Sequence, residues 1–128
     1  MGLLCFLTVF CSCEDTYTFK SVETEEFANL IEDSSVVVVD VRTPEEFAEG
    51  HIPNAININA AQVEFGKQAL NLLPKNKLIA VYCRSGRRSK KASNDLSKLG
   101  FQVVELNKGL KSWVSANKDT VASPDEDL

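Results

Sequence analysis

Apolar residues fall into short blocks along this 128-residue chain, and the blocks alternate between two spacings. Val36-Val37-Val38-Val39 is an unbroken β-branched run, long enough for a strand buried on both faces and too short for a helix. Residues 78–82 and 103–106 read the same way, while 55–58 and 16–19 are weaker strand candidates. Between these runs the spacing becomes helical. Phe27, Leu30 and Ile31 share one helical face, as do Ala92, Leu96 and Leu99, and later Leu110, Trp113 and Val114. Thr43-Pro44-Glu45-Glu46 marks a helix start after the valine strand, with a capping residue, proline at the first helical position and Glu three after the cap.

Buried-type strands alternating with short amphipathic helices predict an α/β domain. Its mainly parallel sheet of about five strands is covered by helices on both faces. No internal repeat and no Gly- or Ser-rich linker interrupts the chain, so one domain is expected over residues 16–119. Residues 120–128 are expected to form an acidic disordered tail, because the last seven hold a proline and three acids.

Composition narrows the function classes. With 44% hydrophobic and 25% charged residues, the chain has the balance of a globular domain, and a core at this length needs no disulfides. No apolar run reaches the roughly 18–20 residues that span a bilayer, which excludes a multi-span membrane protein. A net charge of −4 argues against sequence-independent binding of nucleic acid, which needs a basic face.

Three of the four cysteines, Cys5, Cys11 and Cys13, lie in the first thirteen residues, so they do not form a disulfide framework spread through the domain. Residues 3–10 are an apolar run of the length of an export signal, and Ser12 directly precedes Cys13. This resembles the cleavage box of bacterial lipoproteins, in which Cys13 would carry the lipid and tether the chain to the cell envelope or periplasmic face of a membrane. It departs from that pattern in having no Lys or Arg before the run and bulky Phe10 and Cys11 upstream of Ser12. An ordinary secretory signal over residues 1–13, an extra strand or an unprocessed apolar tail are the alternatives. Myristoylation is not expected, because residue 6 is Phe6 rather than Ser or Thr.

The chemistry concentrates at the remaining cysteine. Ligands of open α/β sheets bind at the carboxyl ends of the strands. There the sequence runs from a buried strand, 79–82, into Cys83-Arg84-Ser85-Gly86-Arg87-Arg88-Ser89 and then into a helix. A small-residue turn at a helix N-terminus presents backbone N–H groups to an anion or an ionised sulfur, and nearby cations favour a thiolate. Five of the fourteen basic residues lie between Arg84 and Lys91, a patch expected to draw a small anionic substrate. Because Lys and Arg at a helix start oppose the helix dipole, the cluster is read as functional and Cys83 as more than a small buried hydrophobe.

Cys83-Arg84-Ser85-Gly86-Arg87-Arg88 resembles the six-residue active loop of the single-domain rhodaneses, a sulfurtransferase family. Asp40-Val41-Arg42-Thr43-Pro44-Glu45-Glu46-Phe47-Ala48-Glu49-Gly50-His51-Ile52-Pro53-Asn54-Ala55 is similar to the family's other hallmark, and the likeness covers about residues 16–116. Lys108-Gly109 departs from the two glycines that relatives commonly carry before the last helix. The resemblance implies a three-layer domain in which the Cys83 thiolate takes the outer sulfur of thiosulfate or a persulfide donor. A thiol or cyanide then accepts that sulfur, and neither metal nor organic cofactor is needed. Arg84 is expected to face the anionic donor, Arg88 to close the loop, and Arg87 to reach solvent at the rim, with Ser85 and Gly86 completing the binding loop. Ser89 either donates to the bound anion or caps the helix. Asp40, Arg42, Glu46, Gly50 and His51 are expected to be structural, fixing the segment that leads to Ile52-Pro53, and Trp113 to pack in the core. A monomer is expected.

Three other readings compete with this one. Cysteine-dependent phosphatases and arsenate reductases place five residues between Cys and Arg, which would require arginine where Ser89 stands. Non-enzymatic rhodanese-like binding modules typically lack the nucleophile, which is present here. A thiol–disulfide exchanger would need a second cysteine near Cys83.

Overall fold

A computed structural model describes residues 18–123. Cys13, the signal expected over residues 1–13, and Thr16 and Tyr17 of the expected first strand lie outside the described residues. Five strands, β1 (Lys20–Val22), β2 (Val37–Asp40), β3 (Ile56–Asn57), β4 (Leu78–Tyr82) and β5 (Gln102–Leu106), form one sheet in the order β1-β5-β4-β2-β3. Every neighbouring pair is parallel. Five helices connect or follow them: α1 (Thr24–Ile31), α2 (Pro44–Glu49), α3 (Phe65–Leu72), α4 (Arg87–Lys98) and α5 (Gly109–Ser115).

The unbroken apolar runs follow from burial on both sides of the sheet. Odd-numbered strand residues Val39, Ile79, Val81 and Val103 pack with Phe65 and Ala69 of α3 and Ala92 and Leu96 of α4. Even-numbered Val38, Ala80, Tyr82, Val104 and Leu106 pack with Phe27 of α1 and Trp113 of α5 on the other face. Phe27 and Trp113 meet edge to face at 6.3 Å, and the indole N–H donates to the Asp119 carbonyl at 2.8 Å.

Four expectations change. The first strand is Lys20–Val22, not 16–19, because that is where the chain lies in register with Val104–Leu106 of β5. Val114 is exposed, so only Leu110 and Trp113 of that triplet face the core. Helix α3 was not anticipated. The expected tail is ordered through Ser123: Val121 and His51 exchange backbone hydrogen bonds of 2.8 and 2.9 Å, and Ser123 donates to the Ala48 carbonyl.

Candidate active site

β4 is the middle strand, and its carboxyl end delivers Cys83 to the start of α4. The thiol is buried (1% exposed). Its Sγ accepts the backbone N–H groups of Gly86 at 3.1 Å and Ser89 at 3.3 Å, and donates to Ser89 Oγ at 3.3 Å. The loop of residues 83–88 thus curls around the sulfur with amides pointing inward, an arrangement suited to negative charge on sulfur.

Two glycines make this curl possible. Gly86 has φ 101°, and a Cβ there would lie 1.9 Å from the Asn107 carbonyl oxygen at the end of β5. Gly109 has φ 68°, and its Cβ would lie 2.4 Å from the Arg84 carbonyl. That close approach lets the first turn of α5 hold the loop: the amides of Leu110 and Lys111 donate to the carbonyls of Cys83 and Arg84 at 2.8 and 3.0 Å. Lys108, where relatives commonly have the other glycine, sits at φ −108°, which any residue adopts.

The basic cluster is largely neutralised by partners distant in sequence. Arg88 makes a two-pronged pair with Glu46 of α2, at 2.8 and 3.0 Å, so it closes the loop against α2 rather than upon itself. Lys90 lies 3.3 Å from Glu105 of β5 and also donates to the carbonyls of Asn107 and Gly86, at 2.9 and 3.3 Å. Lys91 pairs with Asp95 one turn along α4. These partners offset the electrostatic cost of a basic helix start. Among the described residues, Arg84 and Arg87 are the members of the cluster without a carboxylate within 4.0 Å, and both are exposed. Arg84 is the loop residue in the wall of a cleft of about 650 Å3, with Arg42, Glu46, Leu110 and Lys111 among its other lining residues. Ser85 is exposed beside it.

The hallmark segment before the loop is a chain of buried polar contacts. Arg42 grips both oxygens of the fully buried Asp40, Nε at 2.9 and 3.1 Å and Nη2 at 2.7 Å, and Nη2 also donates to the Gly50 carbonyl at 2.7 Å. Burial disfavours the Arg42 cation, yet hydrogen bonding and attraction to Asp40 outweigh it and raise its pKa. Burial, reinforced by the Asp40 carboxylate, likewise raises the Tyr82 phenol, whose oxygen accepts the Ile52 amide at 3.0 Å. Thr43 and Glu46 form the anticipated capping box, closed by hydrogen bonds of 3.2 Å in both directions. Glu46 is thereby tied to Thr43 and Arg88 rather than to the Asp40–Arg42 pair. The pair with Arg88 dominates its titration and, against a smaller cost of burial, holds its pKa at about 2. His51 stacks on Phe47 at 3.7 Å, and its Nδ1 lies 2.8 Å from the Phe47 carbonyl; none of its observed contacts is with Cys83.

The Ser89 side chain does not cap α4, whose N-cap is Gly86. Fully buried, it accepts from the thiol and donates to Glu105 Oε2. Glu105 is a site residue that the sequence reading does not single out, although an acid inside an otherwise apolar strand run is a visible signal. It is fully buried and also accepts from Ser21 Oγ at 2.6 Å.

This chain is similar to known proteins. The Rhodanese-like domain family matches residues 23–116. A putative sulfurtransferase of Bacillus subtilis, YtwF, is 33% identical over 100 residues, covering 77% of this chain and 94% of the relative. The thiosulfate sulfurtransferase PspE of Escherichia coli is 40% identical over 73 residues, covering 57% of this chain and 69% of PspE. The crystal structure of a rhodanese-related protein from Thermoplasma volcanium, 32% identical, superposes with a TM-score of 0.71 over 80% of this chain and 98% of its own. With the parallel sheet, the cysteine loop at the end of its middle strand and these relatives in agreement, the chain belongs to the rhodanese-like domain family.

Proposed function

We propose that this chain is a sulfurtransferase that passes a sulfane sulfur from thiosulfate or a persulfide donor to cyanide or a thiol through a persulfide on Cys83. The observation that carries the reading is the pair of backbone N–H groups, of Gly86 and Ser89, on the Cys83 sulfur. In the first half-reaction the Cys83 thiolate attacks the outer sulfur of thiosulfate. A Cys83–sulfur bond forms, the sulfur–sulfur bond of the donor breaks, and sulfite leaves with its electron pair. One negative charge remains on the new persulfide, where the loop amides stabilise it. In the second half-reaction cyanide attacks the terminal sulfur, leaves as thiocyanate and regenerates the thiolate.

Because Cys83 is buried, the donor approaches at the mouth of the loop, where Arg84, Ser85 and Arg87 are exposed. The two arginines supply positive charge for a doubly charged donor. The relatives' names point the same way, and thiosulfate is the donor named for PspE.

The test is mass spectrometry of the Cys83 peptide after thiosulfate treatment, together with thiocyanate formation from thiosulfate and cyanide. One added sulfur on Cys83, removable by cyanide, is expected, and Cys83→Ser is expected to abolish turnover with the fold unchanged. Full activity in Cys83→Ser, or no sulfur on Cys83 with any of thiosulfate, a glutathione-type persulfide or mercaptopyruvate, would sink the proposal.

A further inference from the structure

A nucleophilic thiol must lose its proton, and here the sulfur is sealed from solvent. Among the described residues, the one contact to which the Cys83 thiol donates is Ser89 Oγ at 3.3 Å. Ser89 in turn donates to Oε2 of Glu105, a carboxylate buried under the site at 0% exposure. The three groups come from different elements: Cys83 from the end of β4, Ser89 from the first turn of α4, and Glu105 from β5, the strand paired with β4. From geometry alone they form a continuous hydrogen-bonded line leading from sulfur to carboxylate.

We propose that Ser89 and Glu105 are the proton exit of Cys83, with Ser89 relaying and Glu105 accepting. This rests on the sulfur-transfer reading above for the identity of the reaction, but not for the proton path. As the sulfur of Cys83 becomes a thiolate, its S–H bond breaks and the proton goes to Ser89 Oγ, while the Ser89 proton passes to Glu105 Oε2. Cys83 changes from thiol to thiolate, Glu105 from carboxylate to carboxylic acid, and Ser89 is unchanged. The step thus moves one negative charge from Oε2 to Sγ and imports none.

The surroundings suit that exchange. The amides of Gly86 and Ser89 already point at Sγ and receive the arriving charge. At the other end, Ser21 of β1 donates to Oε1, fixing the carboxylate plane so that Oε2 faces Ser89. The charged groups facing this line are Lys90, 3.3 Å from Oε2, and Arg88, whose pKa is raised mainly by Glu46 and in small part by Cys83. Lys90 is anchored on the Asn107 and Gly86 carbonyls, so its positive charge stays beside the cluster when the negative charge moves to sulfur. A relay of this kind reconciles a fully buried acid in a β-strand with a nearby nucleophile. Glu105 is held there by hydrogen bonds from Ser21 and Ser89 and by Lys90, so both of its oxygens are partnered while it faces the thiol through Ser89.

Glu105→Gln fills the same space and still accepts from Ser89, but it cannot take the proton. The rate of Cys83 alkylation by iodoacetamide, read on the Cys83 peptide of the full chain across pH, is expected to fall about 100-fold at neutral pH, the scale of general-base catalysis. It is then expected to climb with pH and meet the wild-type rate in alkali, where hydroxide replaces the carboxylate. Should Glu105→Gln fail to fold, Ser89→Ala gives the same measurement with the carboxylate still held by Ser21 and Lys90, and Ser89→Thr restores the rate by restoring the hydroxyl. A Glu105→Gln protein alkylated at neutral pH as fast as the wild type or faster, or slowed by the same factor at every pH, overturns the relay. Alkylation with the expected pH profile in a protein that never takes sulfur from a donor supports the relay and instead removes the sulfur-transfer reading.

Discussion

Arg88 and Glu46, 42 positions apart, join the cysteine loop to the first turn of α2 by two charged hydrogen bonds of 2.8 and 3.0 Å. Residue 88 lies in the first turn of the helix behind the sulfur and residue 46 closes the capping box of α2, so one ion pair locks together the chain's two marked motifs. The lock has a pH signature. Glu46 titrates at about 2 in the folded protein against an ordinary 4.5, so its stabilisation is complete above the unfolded value and is lost as pH falls from about 4.5 toward 2. The side chains are 30% and 40% exposed, so solvent screening reduces the contribution to about 0.5–1 kcal/mol. Glu46→Gln keeps a hydrogen-bonding group for the capping box. Urea unfolding is expected to show it less stable than wild type by that amount at pH 7 and equal to it near pH 2.

Asp40 and Arg42 behave differently because both are sealed in, with side chains 0% and 6% exposed. Asp40→Ala leaves a guanidinium without its counter-ion in the core and is expected to cost about 3–5 kcal/mol. Much of that cost is the stranded charge rather than the lost bond. The double variant Asp40→Ala with Arg42→Met is therefore expected to recover part of the loss, read as the midpoint of denaturant unfolding. If the double variant were no more stable than Asp40→Ala alone, the damage would lie in the Gly50 turn that Arg42 also holds.

The turn before α5 separates a required glycine from a dispensable one. Gly109→Ala forces a Cβ to within 2.4 Å of the Arg84 carbonyl at a positive φ. It is expected to destabilise by about 2–4 kcal/mol and to displace the loop that holds Cys83, lowering turnover as well. Lys108→Gly relieves nothing, because Lys108 already has an ordinary backbone, and it is expected to leave turnover unchanged. Thermal unfolding and turnover measured on both variants check the pair.

Much of this architecture could be read from residue order because burial on both faces of a parallel sheet leaves uninterrupted apolar runs. β4 matches its expected bounds, 78–82, and β2 and β5 each fall within one residue of theirs. The family's two motifs drew attention to Cys83 for the same reason: strand, loop and helix are contiguous in the chain. What escaped notice was set by long-range contact. Helix α3 buries Phe65 and Ala69 at a spacing of four, but exposed Leu70 and Leu72 blur its apolar stripe, and nothing local says which face the sheet will cover. Glu105 points toward α4 while its neighbours Val104 and Leu106 face the opposite core, so it was absorbed into an apolar strand. The basic cluster appeared as one patch, since the partners that neutralise Arg88 and Lys90 come from α2 and β5.

With those partners in place, the charge left to meet an anionic donor narrows to two side chains, and they differ. Arg84 lines the cleft beside the loop, whereas Arg87 is exposed and lies outside that wall. Arg84→Ala is therefore expected to raise KM for thiosulfate about fivefold with kcat little changed, the scale of one partly screened charge contact. Arg87→Ala is expected to have a smaller effect. Because both charges are exposed, the wild-type KM is expected to rise with ionic strength and the Arg84→Ala KM to rise less. Steady-state kinetics at low and high salt decide it: an unchanged KM in Arg84→Ala with a raised one in Arg87→Ala would transfer the donor contact to Arg87.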